Sequence, residues 1–192
     1  MNIIIASNNK NKIKEFKQIL EPLQYNVLSQ SEAGINLEVE ENGTTFEQNA
    51  QLKADAIYKL KHTSVISDDG GLEVDYLNGE PGIYSARYKG LETAKQRNEY
   101  ILNAMKNVPI EHRTARFICC ICYIKENGEK IIVKGIIEGT IAEKECGNND
   151  FGYDPIFIPN NEKRTFAQMS NDEKNKISHR CLAIEKLKKY FN

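Results

Sequence analysis

No stretch of this 192-residue chain approaches the ~20 consecutive apolar residues of a membrane-spanning helix. The first apolar run, Ile3 to Ala6, has no basic residue before it and is too short for a secretion signal, so it reads as a first strand. Neither sign of charge dominates: 26 Lys and Arg stand against 27 Asp and Glu. That balance argues against the basic footprint of a protein that holds polymeric DNA or RNA. Cysteine is sparse and odd in number, at five, which does not suit a disulfide framework. Three of the five, Cys119, Cys120 and Cys122 in "FICCICYI", lack a second ligand pair at zinc-site spacing and read as reduced thiols in a buried strand. There is no GxGxxG pattern, no Walker loop, no internal repeat and no low-complexity linker. The expectation is a soluble, cytoplasmic, single-domain protein with an ordinary globular composition, 40% hydrophobic and 28% charged.

What is present alternates between strand and helix signals. After the first strand, "SNNKNK" breaks the run, and Ile13, Phe16, Ile19 and Leu20 recur at helical spacing. Extended signals near Val27 and Val39 are followed by a turn at Glu41-Asn42-Gly43. Thr45 and Gln48 then form a capping-box pattern ahead of a helix with Phe46, Ala50, Ala54, Ile57 and Leu60 on one face. Ser64–Ser67 and Leu72–Val74 read as strands joined at an Asp-Asp-Gly-Gly corner. Thr93 and Gln96 form a second capping box. Two long strands, roughly 114–125 and 130–138, meet at the hairpin signal Asn127-Gly128. Cys146 to Pro159 reads as a long structured loop running into a short strand, and Ile177, Cys181, Ile184 and Leu187 mark a last helix. The fold class is α/β with at least part of the sheet antiparallel.

Four groups of residues have chemistry to offer. In "SNNKNK", between strand and helix, backbone N–H groups and the amines of Lys10 or Lys12 suit an anion such as phosphate, though a solvated turn needs no ligand. The carboxylates Glu41, Asp68 and Asp69 suit a hard cation, since Mg²⁺ takes one or two carboxylates and completes its shell with phosphate and water. Successive side chains on a strand point to opposite sides, so Asp68 and Asp69 are expected to serve different purposes. Phe151 to Asp154, "FGYD", offers aromatic faces for a base, or a packed loop. Lys174, Lys176, His179 and Arg180 crowd one segment. On a straight helix Lys174 and His179 would lie ~140° apart, so a break near Ser178 is expected, with that serine capping the last helix.

Taken together, these residues resemble the inosine triphosphate pyrophosphatase family, the Ham1-like purine nucleoside triphosphate pyrophosphatases. The motifs "SNNKNKIKEF", "EENGTTFEQNAQLKA", "SDDGGLEVDYLNGEPGIYSARY", "GNNDFGYDPIFIP" and "TFAQMSNDEKNKISHR" follow the family's order across nearly the whole chain. The resemblance implies one pyrophosphatase domain over residues 1–192, an elongated central mixed sheet flanked by helices, two lobes with a substrate cleft, Mg²⁺ dependence and a homodimer. It implies triphosphate contacts at Ser7, Asn8, Asn9, Lys10, Asn11 and Lys12, with Lys53 as a further phosphate-side lysine. By the same resemblance Glu41 is a metal ligand, Asp69 is the catalytic and metal-binding carboxylate, and Asp68 assists it. Phe151, Gly152, Tyr153, Asp154, Lys174, His179 and Arg180 are implied as the purine-recognition set. Gly70, also in the implied site, stands where many members carry serine or threonine. Gln48 and Gln168 stand where glutamate is common. The "YSARY" segment, Tyr84 to Tyr88, matches the family without a defined role.

The implied reaction is hydrolysis of ITP, dITP or XTP at the α-phosphorus, giving nucleoside monophosphate and pyrophosphate. Selectivity has a simple form: a 6-keto oxygen accepts hydrogen bonds from Arg180 and a donating His179, whereas the adenine 6-amino group would leave those donors unpaired. Three rivals stay open at this point. One is a pyrophosphatase of Maf-like specificity, one is a nucleotide-binding protein without catalysis, and one is a single-strand nucleic-acid binder.

Overall fold

The computed structural model describes residues 2–148 and 151–191. Six strands form one sheet in the order β2-β1-β3-β4-β5-β6. They are β1 (Asn2–Ile5), β2 (Asn26–Ser29), β3 (Ser64–Val74), β4 (Thr114–Ile124), β5 (Lys130–Ile141) and β6 (Phe157–Pro159). The helices are α1 (Lys10–Leu20), α2 (Phe46–Lys61), α3 (Ala94–Ala104), α4 (Asn171–Ile177) and α5 (His179–Lys188). β1 runs parallel to β2 and β3, and β5 pairs antiparallel with β6, so the sheet is mixed as expected. The region around Val39, expected to be extended, forms no strand.

The chain forms two compact units, one of residues 2–69, 119–134 and 183–191, the other of residues 70–118 and 135–182. In the first, alternation along β3 sorts side chains between two cores. Ile66 packs with Phe16 and Leu20 of α1 and with Ala183, Ile184 and Leu187 of α5. Val65 packs with Ala50, Ala54 and Ile57 of α2, and the Ser67 hydroxyl donates to the Ala50 carbonyl at 2.5 Å. Both faces of the strands are therefore covered, which is why "FICCICYI" on β4 is apolar without interruption. Cys119, Cys120 and Cys122 are outside any disulfide and wholly buried there, as the sequence suggested. The second unit gathers Leu72, Val74, Ile101, Phe117, Phe157 and Phe166 around its own core.

One expectation is overturned in a way that bears on chemistry. No corner separates two strands at Asp68 to Gly71, because β3 runs unbroken for 11 residues through the carboxylates and both glycines. Asp-Gly favours a turn only where local backbone preference decides, and here the neighbouring strands impose extension. The N-terminal box of α2 is also half formed. Thr45 accepts from the Gln48 N–H at 3.2 Å, but Gln48 reaches back to the Thr44 N–H instead of to Thr45. The box of Thr93 and Gln96 on α3 is complete.

The expected break between α4 and α5 falls at Ser178, whose backbone is extended (ψ 153°) and whose hydroxyl accepts from the Cys181 N–H at 3.2 Å. It caps α5 and turns Lys174 and His179 out of helical phase. Ser178→Ala should cost about 1 kcal/mol of stability, read as a lower urea midpoint with the slope unchanged.

Candidate functional site

In the first unit, the polar residues gather around Asp68 and Asp69, midway along β3. Lys12 on α1 pairs with Asp68 at 3.0 Å, and the Cys119 thiol lies 3.9 Å from the same carboxylate oxygen. Asp69 points to the opposite side of the strand, where Lys53 of α2 stands 3.6 Å from it and 2.5 Å from Glu41. The two aspartates thus belong to different faces, as alternation requires, and three carboxylates share two ammonium groups. Burial raises the Asp69 pKa; Lys53 opposes that, Glu41 adds to it and Lys12 opposes it again. Burial alone would lower the Lys53 pKa, but Asp69, Asp68 and Glu41 together hold it above its ordinary value.

The loop before α1 differs from a simple open anion cradle. Asn9 caps the helix, its Oδ1 accepting from the Asn11 and Lys12 N–H groups at 3.0 and 3.3 Å, and Ser7 Oγ accepts from the Asn9 N–H at 3.1 Å. Two of the first-turn donors are therefore already engaged, and an anion there relies on the side chains of Asn8, Lys10 and Asn11, which are exposed.

Glu41 and Asp69 converging on one ammonium form a position where a cation already sits between hard oxygen donors, and Asp69 Oδ2 is buried without a hydrogen bond of ordinary geometry. Among the described residues no three His, Cys, Asp or Glu side chains close a metal cage by themselves. Those features fit Mg²⁺, which is held by one or two carboxylates plus phosphate and water. Glu41 and Asp69 would hold it, whereas Asp68, expected to assist them, faces the other side of β3 and pairs with Lys12.

In the second unit, the "FGYD" segment is tied down at nearly every residue. Its neighbours Asn149 and Asp150 lie outside the described residues. The Asn98 amide donates to the Gly152 carbonyl at 3.2 Å, and the Tyr153 hydroxyl donates to the Ser85 carbonyl at 2.7 Å. Asp154 and Lys174 form a buried pair at 2.5 Å, and the same ammonium lies 4.9 Å from the centre of the Phe151 ring. His179 is stacked flat on Phe117, 4.8 Å between ring centres and 10° between planes. Phe151 keeps partial exposure, whereas Tyr153, Asp154, Lys174, His179 and Arg180 are buried. Gly70 is partly exposed and contributes backbone alone.

Sequence reasoning missed Asn49, Ser85 and Asn98. Asn49 had a signal: it is a polar residue on the apolar face of α2, and it is wholly buried there. Ser85 gives "YSARY" a structural task. Its hydroxyl accepts from the Leu72 N–H at 3.0 Å and donates to the Gly82 carbonyl at 2.6 Å. It presses so closely on β3 that a Cβ at Gly71 would lie 2.1 Å from Ser85 Oγ.

Two outcomes follow. A carboxylate whose folded-state pKa exceeds its unfolded value costs the fold stability as pH rises past about 3.9 and it ionises. Asp69→Asn should therefore melt above wild type at pH 7 in EDTA, and the advantage should shrink as pH falls through 4, measured by thermal melts across pH. Lys174→Met removes the ammonium that pairs with buried Asp154 and should cost about 3–5 kcal/mol. Adding Asp154→Asn should restore most of that in a denaturation series.

Residues 3–190 match the Ham1 family. The chain is 50% identical to a dITP/XTP pyrophosphatase of Clostridium perfringens, over 96% of this chain and 94% of that protein. It is 49% identical to a dITP/XTP pyrophosphatase of Bacillus subtilis, over 97% and 94%. The structure of the Staphylococcus aureus Ham1 protein aligns with a TM-score of 0.90 at 44% identity, covering 99% of this chain and 97% of that one. A HAM1 protein from Coxiella burnetii aligns with the same TM-score of 0.90 at 37% identity, over 99% and 98%. On these matches, over nearly its whole length in sequence and in fold, the chain belongs to the Ham1 family.

Proposed function

We propose that this chain hydrolyses non-standard purine nucleoside triphosphates, namely ITP, dITP and XTP, to the nucleoside monophosphate and pyrophosphate, with residues 1–192 working as one pyrophosphatase domain. The observation that carries the reading is the convergence of Glu41 and Asp69 on the Lys53 ammonium, beside the middle of a buried strand. The dITP/XTP pyrophosphatases of C. perfringens and B. subtilis, half identical to this chain, support the substrate class.

A triphosphate brings nearly four negative charges, and the chain answers with Lys12, Lys53 and the exposed Lys10. Bound Mg²⁺ would neutralise phosphate oxygens and favour departure of the pyrophosphate. Asp69 orients the attacking water and takes its proton; the water oxygen bonds to the α-phosphorus, and the bond from that phosphorus to the bridging oxygen of the leaving pyrophosphate breaks. Burial raises the Asp69 pKa, which makes it a stronger base than an ordinary carboxylate. Asp68, on the other face of β3, holds Lys12.

For the base, Phe151 offers a partly exposed ring to stack on, and the Lys174 ammonium lies over one face of that ring. Arg180 and His179 donate to a 6-keto oxygen, and the stack on Phe117 keeps the imidazole plane fixed. A homodimer in the cytoplasm completes the proposal; five cysteines outside any disulfide suit a reducing compartment, and no described helix is long and apolar enough to cross a membrane.

The test is pyrophosphate release from a panel of triphosphates. ITP, dITP and XTP should be turned over with Mg²⁺, ATP poorly, and EDTA should abolish the reaction. Asp69→Asn should lower kcat by at least about 10²-fold. A preference for UTP or dUTP, or an unaffected Asp69→Asn, would remove the assignment.

A further inference from the structure

We propose that Asn49 is a positioning residue whose side-chain amide holds the Glu41 loop and the Asp69 carboxylate at one fixed spacing. The inference rests on the reading that Glu41 and Asp69 hold a divalent cation. Asn49 is wholly buried on α2, one turn before Lys53. Its Oδ1 accepts the N–H of Gly43, two residues beyond Glu41, at 2.8 Å. That bond decides how the amide is turned, because only the oxygen can accept from a backbone donor. The loop sits tight against the helix there: a Cβ at Gly43 would lie 2.7 Å from Asn49 Oδ1 and 2.8 Å from Gln48 Cβ.

With Oδ1 committed to Gly43, Nδ2 must face the other way. It is buried and makes no hydrogen bond of ordinary geometry among the described residues, and the same holds for Asp69 Oδ2. Asn49 lies one turn from Lys53 on α2, and Lys53 stands 3.6 Å from Asp69, so the two unmet groups share one neighbourhood. A buried donor and a buried acceptor with no better partner are drawn to each other, since leaving either unmet is costly.

Asn49 and Lys53 thus address the same two partners from adjacent turns of one helix. Lys53 does so with charge, through the side chains of Glu41 and Asp69. Its grip weakens when a cation and phosphates enter and compete for it. Asn49 does so with a neutral amide, through the backbone at Gly43 and the side chain of Asp69. That hold is indifferent to the incoming charges, so the spacing of the two carboxylates survives the exchange.

Two variants of the full chain test this, Asn49→Ala and Asn49→Asp. Three quantities are read: hydrogen exchange of the Gly43 amide, Mn²⁺ affinity by electron paramagnetic resonance without nucleotide, and Mg²⁺-supported kcat. Asn49→Ala should unprotect the Gly43 amide, weaken Mn²⁺ binding by about 10–100-fold and lower kcat by a similar factor. Asn49→Asp keeps an oxygen for Gly43, so the amide should stay protected. It loses the donor toward Asp69, so kcat should still fall about 10-fold or more. If Asn49→Ala fails to fold, the nearly isosteric Asn49→Asp decides alone. The proposal is overturned if Asn49→Asp turns over like wild type, which would leave Asn49 a simple loop tether. It is also overturned if Asn49→Ala binds Mn²⁺ like wild type. Wild type that neither binds Mn²⁺ nor needs a divalent ion would remove the cation reading and this inference together.

Discussion

Charge sharing midway along β3 is the constraint on which the rest of the first unit depends. Three carboxylates are brought close to one another under partial or complete burial, where like charges repel strongly and each loses hydration. Two ammonium groups on separate helices, Lys12 on α1 and Lys53 on α2, make that tolerable. The helices can deliver them because β3 alternates. Val65, Ser67 and Asp69 meet α2, while Ile66 and Asp68 meet α1. The same periodicity that sorts the two cores assigns each aspartate its lysine. A one-residue slip of the strand would exchange their partners and bury apolar side chains against the wrong helix.

The second unit solves a related problem with fewer charges. One buried pair, Asp154 and Lys174, lies beneath the partly exposed ring of Phe151. Neutral hydrogen bonds from Asn98 and to Ser85 fix the backbone and side chain on either side of it. The result is a rigid mounting for an aromatic surface.

Much of this was legible in the chain because local and global preferences agree. Apolar spacing gave α1 and α2, the complete capping box marked the start of α3, and the serine at 178 announced the cap between α4 and α5. The Asp-Asp-Gly-Gly stretch misled, since its residues favour a turn and only the pairing of neighbouring strands holds them extended. Within the site, residues bearing charge were readable by type, and their order matched a known family. Asn49 showed only as a polar residue on the apolar face of α2, and Ser85 and Asn98 did not show at all. Those two are ordinary polar residues whose importance lies in a backbone group distant in sequence, Ser85 with Leu72 and Asn98 with Gly152. Composition and periodicity carry no record of such partners.

The thiols of β4 have a consequence of their own. Cys119, Cys120 and Cys122 are wholly enclosed, and burial pushes the Cys122 thiol up to about 12 and raises that of Cys120 as well. A thiol held so far from ionisation is a poor nucleophile, and no reagent reaches it through a strand covered on both faces. Alkylation at these positions then has to wait until β4 itself is uncovered. The strand carries a built-in chemical clock for the opening of its own core, readable by mass without any added label.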